Sequence, residues 1–266
     1  MNTKFFLLVF FFIFFSAQDS FSQGGFSHEV GIITGPVVFY SDFGQRYDFS
    51  TNSGNVGKGI GLIHYINFSY SSDCNCYTRA VYFNDHFKLR TELDFHQTNL
   101  EHFGKWVAPD RTSLTADQLR AMDGSATVIE VGSQLEFFPF SIRDFAAGQY
   151  KIAPFISAGA HWVSYDPEVF SSLGALNSPA TTPDKYYNAF QQEPASTWAV
   201  VGSVGIRYKL SPLSDLMLDS RWHFYFSDWV DGLNPTFENN GTTPVPENKA
   251  NEWVYWLNVG YIYYIN

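Results

Sequence analysis

Charged side chains are scarce in this chain of 266 residues, in which Asp, Glu, Lys and Arg together make up 16%. An ordinary soluble domain carries about 25% charged residues. Aromatic residues are frequent instead, at 19%, which suits a surface in contact with lipid. The formal net charge of −10 argues against a nucleic-acid partner, because nucleic acids bind to basic faces.

Cysteine is nearly absent as well, because the chain contains only Cys74 and Cys76. A cysteine-based zinc site needs a second pair, or histidines at a set spacing, and the sequence offers neither. The two thiols are therefore expected to form a small local disulfide or to stay free in a loop. We expect no metal site and no cofactor.

The motifs of common soluble enzymes are missing too. The glycines of Gly57–Gly61 suggest a dinucleotide loop, but Leu62 stands where the fingerprint needs its third glycine. No phosphate-loop, His-Glu-x-x-His or Gly-x-Ser-x-Gly pattern occurs. An enzyme is thus the less favoured interpretation. One class stays open, a lipid-modifying enzyme at the rim of a barrel, with the polar residues His96, His102, Asp110 and Ser113.

Long apolar runs are missing except near the N-terminus. Residues 1–22 combine Lys4, the unbroken apolar run Phe5–Phe15 and small residues at the end. This pattern is typical of a secretory signal peptide, so we expect the mature domain to span residues 23–266. The run is too short for a transmembrane helix, which needs about 20 apolar residues. A chain exported in this way is periplasmic, secreted or inserted in the outer membrane as a barrel.

Apolar and ionisable residues alternate in the segment Asp85–Thr98. The odd positions from Phe87 to Phe95 are apolar except for a threonine, whereas the even positions from His86 to His96 are all ionisable. Successive side chains of a strand point to opposite faces, so the segment predicts a strand with two contrasting faces. Seven other segments alternate with varying clarity: His28–Phe39, Gly59–Phe68, Thr127–Phe137, Tyr150–Val163, Trp198–Tyr208, Leu216–Phe226 and Trp253–Ile265.

Eight such segments predict an all-β fold, an up-and-down antiparallel transmembrane β-barrel. Outer-membrane barrels have strands of about ten residues, with apolar side chains outward and polar ones inward. Such a sheet must close, because lipid offers no hydrogen-bond partner to a free strand edge. Ten strands stay an alternative if a long connection contains a further hairpin. The predicted location is the cell outer membrane, with outer-membrane lipid and lipopolysaccharide around the barrel.

The predicted connections differ in length between the two ends of the barrel. With the N-terminus in the periplasm, the outer connections are Tyr40–Lys58, Asn99–Ala126, Ser164–Thr197 and Ser227–Glu252. The inner connections are Ser69–Asn84, Phe138–Gln149 and Ser211–Asp215. Each outer connection is longer than every inner one, as expected for long extracellular loops and short periplasmic turns.

A barrel of eight strands is filled by its own side chains and has no open pore. Its inward ionisable groups should pair with one another, because an isolated ion in a low-dielectric interior is costly. The predicted lumen network consists of His86, Lys88, Arg90, Glu92, Asp94, His96, Glu130, Glu136, His161, Arg207, Lys209, Asp219, Arg221 and His223. An active site or a narrow ion path built from the same groups is the alternative.

The last segment carries two further signals. Its residues Asn258, Gly260, Tyr263 and Ile265 resemble the C-terminal insertion signal that outer-membrane proteins present to the barrel-insertion machinery. Trp and Tyr are enriched where a membrane meets water. We therefore expect an aromatic girdle that contains Trp222, Trp229, Trp253, Tyr255 and Trp256.

Several runs resemble a Bacteroidota family of outer-membrane proteins of unknown function: Ser27–Ile32, Asp73–Arg79, Asp117–Met122, Ser141–Phe145 and Trp229–Pro235. The resemblance covers nearly the whole mature chain. Members of that family have sometimes carried the label glutamate dehydrogenase, for which this sequence has no motif. A looser similarity, in size, class and N-terminal start, links the chain to the PorG-type barrels of the type IX secretion and gliding machinery. That similarity implies a barrel that holds a periplasmic ring.

The favoured functional hypothesis is a structural or interaction component of an envelope assembly, such as a secretion or gliding machinery. It rests on the filled interior and on the inner connections Ser69–Asn84 and Phe138–Gln149, which are long for periplasmic turns. Arg143 and Asp144 in the second of them are candidate contacts with a periplasmic or outer-membrane protein complex. A narrow porin or small-solute uptake barrel is the first alternative, and a lipid-modifying enzyme is the second.

Overall fold

The computed structural model describes residues 26–44, 48–68, 82–235, 237, 241 and 251–265. The predicted signal peptide, residues 1–22, and both cysteines, Cys74 and Cys76, lie outside these ranges and stay predictions. Within the described ranges, no helix combines the length and the apolar character that a membrane span requires.

Eight antiparallel strands close into a barrel in chain order, which confirms the predicted fold class. Each strand pairs with the next, and the first also pairs with the last, as an up-and-down barrel requires. In the described part of the chain the barrel holds eight strands, so the alternative of ten is not met there. The strands are β1 (Ser27–Tyr40), β2 (Val56–Asn67), β3 (Phe87–Glu101), β4 (Met122–Phe137), β5 (Ile152–Ser171), β6 (Ala195–Ser211), β7 (Ser214–Tyr225) and β8 (Trp253–Ile265).

Short helices occupy the connections. The hydroxyls of Ser113 and Ser141 begin two of them by accepting hydrogen bonds from the backbone N–H groups of Ala116 and Asp144. A 3-10 turn covers Asp184–Tyr186. The helices are α1 (Phe49–Asn52), α2 (Tyr82–His86), α3 (Leu114–Arg120) and α4 (Ile142–Ala146).

Side chains alternate along the strands between an apolar outer surface and a polar lumen. On β3, Leu93 and Phe95 are exposed on the outside, whereas Asp94 between them is buried in the barrel. The same alternation leaves large apolar residues exposed on other strands, for example Trp198 on β6 and Val259 on β8. An outward apolar belt around an inward polar core is the arrangement of a transmembrane barrel.

Several strands continue past their predicted limits at one end of the barrel. The predicted third and fifth segments stop at Thr98 and Val163, whereas β3 runs to Glu101 and β5 to Ser171. We call this the loop end, because it carries the β1–β2, β3–β4, β5–β6 and β7–β8 connections. The opposite end, at which β1 begins and β8 finishes, is the turn end.

The predicted ordering of connection lengths is wrong at one point. The first loop-end connection, 41–55, is shorter than the first turn-end connection, 68–86. The cause is twofold, because β2 already begins at Val56 and because α2 delays the start of β3 to Phe87. The remaining loop-end connections stay longer than every turn-end connection, and they comprise residues 102–121, 172–194 and 226–252.

The loop-end connections fold together into a cap over this end of the barrel. Hydrogen bonds tie the connections to one another, since Asp42 N–H donates to the side-chain Oδ2 of Asp231 over 2.8 Å and Gln191 N–H to Gly232 O over 3.0 Å. Tyr186 OH also donates to Asp42 O over 2.8 Å. This loop cap buries Phe43, Leu119, Tyr186, Val230 and Leu233 in one apolar cluster with Leu100 of β3 and Met122 of β4.

Candidate functional site

The lumen is filled by charged side chains that are buried and paired. Its members come from β1, β3, β4, β6 and β7, whose inward positions carry the ionisable residues. The five buried cations of these strands are Lys88, Arg90, Arg207, Lys209 and Arg221. The seven buried carboxylates of these strands are Glu29, Glu92, Asp94, Glu130, Glu136, Asp215 and Asp219.

Arg90 and Arg221 form the middle of this network. Arg90 Nη1 lies 2.7 Å from Glu136 Oε1 and 3.2 Å from Asp219 Oδ2. Arg221 Nη1 lies 2.6 Å from Glu92 Oε2. Arg221 Nη2 reaches Asp219 Oδ2 at 2.9 Å, so one carboxylate is shared by both guanidinium groups. Such shared pairs satisfy several donors of each guanidinium, as burial requires.

Arg207 organises the network near the turn end. Its Nη1 lies 2.6 Å from Glu29 Oε2, and its Nη2 lies 3.2 Å from Glu136 Oε2. The guanidinium stacks on the ring of Tyr65, with 4.1 Å between its Cζ and the ring centroid. Lys88 pairs with the other oxygen of Glu29, so one carboxylate holds two cations.

The structure brings most of the predicted lumen residues together, but His86 lies elsewhere. His86 ends helix α2 and is half-buried, and its Nδ1 lies 2.7 Å from the backbone oxygen of Phe138. The chain turns helical just before β3, so the strand alternation that was expected to include His86 starts one residue later.

Two lumen carboxylates were missed by sequence reasoning. Glu29 faces the lumen opposite the outward Val30, so the alternation of β1 contained the signal that could have identified it. Asp215 was assigned to a turn, because the seventh strand was expected to start at Leu216 rather than at Ser214. Asp215 lies 3.1 Å from Lys209 Nζ and accepts a hydrogen bond of 2.6 Å from Tyr264 OH.

The predicted aromatic girdle is wrong in including Trp256. It is fully buried in the lumen, with its ring 5.4 Å from Arg221 Cζ, because even positions of β8 point inward. Trp222 is exposed on the outer face, where its ring contacts Tyr255. Trp229 lies in the β7–β8 connection and packs against the buried apolar core.

The four residues of the predicted insertion signal all lie in β8. Asn258 is buried in the lumen, whereas Tyr263 and Ile265 are exposed on the outer face. Gly260 pairs with Ile33 of β1, so it lies at the seam where the first and last strands join. Their role in insertion stays a prediction.

Glu130 is the centre of a second cluster, between the arginines and the loop cap. Its Oε2 accepts from His161 Nδ1 over 2.9 Å and from His223 Nδ1 over 2.8 Å. Its Oε1 accepts from Tyr225 OH over 2.8 Å and lies 3.4 Å from His96 Nε2. We call these five residues the histidine cluster. One carboxylate with several imidazoles can hold a proton or a metal ion.

The polar residues proposed for lipid chemistry contact different groups. His102 Nδ1 lies 2.8 Å from Phe43 O, and burial followed by the charge of Lys185 lowers the pKa of His102 to about 3. Ser113 caps α3, and Asp110 is exposed. His96 lies in the lumen, so these side chains do not meet as one catalytic group.

Two buried carboxyl groups meet at the loop end, Asp231 in the β7–β8 connection and Glu252 just before β8. Glu252 Oε1 accepts from Asp231 N–H over 3.2 Å, and Asp231 Oδ1 accepts from Leu233 N–H over 2.8 Å. Burial raises the pKa of Asp231 to about 6, and burial together with the nearby Asp231 raises that of Glu252 well above its usual range. We call this pair the carboxyl latch.

No protein-family model matches the sequence, and no curated protein matches it significantly. Solved structures do match in fold. The attachment invasion locus protein Ail of Yersinia pestis is 12% identical, with 91% of this chain and 100% of that chain covered and a TM-score of 0.42. Neisserial surface protein A is 12% identical, with 90% and 99% covered and a TM-score of 0.43. A major outer membrane protein from Thermus thermophilus is 11% identical, with 90% and 99% covered and a TM-score of 0.46. Identities and scores of this size are too low to transfer a function or a ligand.

Proposed function

We propose that this chain is a non-conducting barrel of the outer membrane that serves as a structural or interaction component of an envelope assembly. The apolar outer belt, with exposed residues such as Leu62, Trp198 and Val259, suits contact with lipid acyl chains. Outer-membrane lipid and lipopolysaccharide would surround it, and the barrel-insertion machinery would recognise β8. The resemblance to the Bacteroidota family and to PorG-type barrels favours an assembly of the type IX secretion kind.

The observation that carries the proposal is the closed lumen. Arg90, Arg207 and Arg221 are completely buried across the barrel, each held by carboxylates from other strands. The large rings of Tyr65 and Trp256 fill further space between them. A diffusion pore needs a water-filled lining, which larger barrels have and a packed barrel of eight strands lacks. This supports anchoring or docking over transport.

Helix α4 at the turn end offers a surface for a periplasmic partner. Helix α4 buries Ile142 and Phe145, while Arg143 on the same helix is exposed. Arg143 N–H donates to Asp85 Oδ1 over 3.1 Å, which ties the helix to the connection before β3. A partner would therefore meet a fixed charged surface rather than a loose turn.

Conductance and cross-linking test the two parts of this proposal together. Purified protein in planar bilayers should give no stable open conductance, since the lumen is closed. A photo-reactive residue in place of Arg143 should capture a periplasmic protein in intact cells. The same residue in place of exposed Lys105, in the β3–β4 connection at the loop end, is the matched control and should not capture that protein. A large stable conductance would contradict the closed lumen, and the absence of any adduct at Arg143 would count against docking.

A further inference from the structure

We propose that Glu130, His161 and His223 bind a divalent transition-metal ion of the zinc type inside the barrel. The three side chains come from β4, β5 and β7, and all are completely buried. One potential ligand atom of each lies within 4.8 Å of those of the other two. Two imidazoles and one carboxylate are a donor set that zinc takes in proteins. The site lies outside the arginine-centred ion pairs.

Both histidines present Nδ1 to the same carboxylate oxygen. His161 Nδ1 lies 2.9 Å and His223 Nδ1 lies 2.8 Å from Glu130 Oε2, so three ligand atoms already converge. An ion bound there would be coordinated by the two Nδ1 atoms and the Glu130 carboxylate. On the far side of the His161 ring, Nε2 lies 3.5 Å from Glu92 Oε1, which would orient the ring as an outer-shell carboxylate does.

The balance of buried charges in the lumen also favours a bound cation. The strands bury seven carboxyl groups but only five lysines and arginines, so two further positive charges are needed if all seven are ionised. A divalent cation would supply both compensating charges at one point. Two protonated imidazoles would do the same, and the experiment below separates these cases. An uncompensated pair of buried charges is costly, because each buried ion loses its hydration.

A second group of potential ligands, Glu92, Asp94 and His161, is less suitable. Arg221 Nη1 already lies 2.6 Å from Glu92 and 3.2 Å from Asp94, so a metal ion there would face a guanidinium charge. The histidine cluster holds no lysine or arginine among its members. Tyr225 donates to Glu130 Oε1 over 2.8 Å and would fix the ligand carboxylate.

The loop cap determines how the ion would enter. Its buried apolar residues, among them Tyr186 and Leu233, close the loop end of the lumen together with Leu100 of β3. An ion would therefore be taken up while the barrel folds and would exchange slowly afterwards. Metal loading should depend on the conditions of folding rather than on later soaking.

Refolding tests the site directly. The chain is unfolded in urea with chelator and refolded into detergent with either Zn2+ or EDTA, and the metal that survives gel filtration is measured by mass spectrometry. We expect about one zinc ion per chain after refolding with Zn2+, and a higher melting temperature than after refolding with EDTA. Co2+ in place of Zn2+ should give the visible absorption of a site with nitrogen and oxygen ligands.

The double variant His161→Gln/His223→Gln should retain at most about one tenth of the zinc that the wild type retains. The matched control is His64→Gln, since His64 stacks on His28 on the outer surface, and it should keep the metal. Wild-type protein that binds no zinc and melts at the same temperature with Zn2+ and EDTA would overturn the proposal and leave protonated imidazoles as the counter-charge. This test uses only the wild-type protein, so it does not depend on whether the double variant folds. Equal metal in the folded double variant would overturn it as well.

Discussion

At the scale of single residues, the buried arginines should be the most sensitive positions of the barrel. Arg90→Met removes the cation that contacts Glu92, Glu136 and Asp219 and leaves these carboxylates buried with fewer partners. Removing one partner of a buried ion pair costs about 3–5 kcal/mol. We expect the free energy of unfolding to fall by about this amount in a urea titration of the barrel in detergent micelles.

The matched control for this variant is Lys105→Met, because Lys105 is exposed in the β3–β4 connection. Its charge is solvated, so its removal should change the free energy of unfolding by less than about 0.5 kcal/mol. Similar small effects at Arg90 and Lys105 would mean that water reaches the arginines, which the closed lumen does not allow.

Sequence alternation identified most buried charges but not their partners. It placed Glu130, His161 and His223 on inward faces, yet nothing in the three separate segments shows that they meet. Their meeting depends on strand register, such as the pairing of Val131 with Trp162 and of Val201 with His223. Register is fixed by the closed sheet as a whole, so the histidine cluster could not be predicted from local patterns.

At the scale of strands, the presence of each strand could be predicted from the sequence, but the residues at which it ends could not. Alternation requires lipid on one side and lumen on the other, and this contrast disappears where a strand leaves the membrane. β5 continues to Ser171 by pairing with β4 as far as Met122, while its inward Val169 packs within the buried apolar core. The hydrophobic signal therefore ends before the hydrogen-bond ladder does. Helices α2 and α4 were not predicted, because a segment of five residues is too short to show a helical periodicity.

The seam between β1 and β8 should depend on a glycine. A Cβ atom at Gly35 would lie 1.8 Å from the backbone oxygen of Leu257, so that a strand would have to move. We expect Gly35→Ala to lower the fraction of chains that close into a barrel, because closure requires β1 to pair with β8 from the other end of the chain. The measurement is the proportion of the compact, unheated form in cold SDS electrophoresis after refolding.

Gly202→Ala in β6 is the control for the seam. A Cβ atom there would lie 3.7 Å from Ser157 O, which is ordinary van der Waals contact. This variant should fold as the wild type does, because it also reduces the freedom of the unfolded chain. If both variants fold equally well, β1 and β8 can move apart at Gly35 without reducing the fraction of folded barrel. The β1–β8 seam would then not limit barrel closure.

At the scale of the whole molecule, the barrel is closed at its loop end by contacts between distant connections. Asp42 and Asp231 meet although 189 positions separate them in the chain. Local sequence patterns carry no sign of such contacts, so the loop cap and the carboxyl latch could not be predicted. The expectation of long outer loops gave their approximate extent but not that they fold into one unit.

The carboxyl latch makes the loop cap sensitive to pH. The pKa of Asp231 is raised to about 6 and that of Glu252 is raised further above its usual range, chiefly by burial, with Asp228 and Asp42 as additional negative neighbours of Glu252. The closed cap therefore holds protons that the open cap, with ordinary carboxyl pKa values near about 4, releases. Its stability is full below about pH 4 and falls as the pH rises through about 6 and beyond.

Hydrogen exchange at different pH values checks this sign. The protection factors of the amides of Val230, Asp231 and Leu233, corrected for the intrinsic pH dependence of exchange, should be lower at about pH 8 than at about pH 5. Glu252→Gln stays uncharged at both pH values and can still accept one hydrogen bond from Val230 or Asp231, so the difference should become smaller and only the part due to Asp231 should remain. Protection that rises with pH, or a pH dependence in Glu252→Gln as large as in the wild type, would show that Glu252 does not hold a proton in the closed cap. A cap that loosens with rising pH while the strands keep their protection would show that the loop end opens independently of the barrel wall.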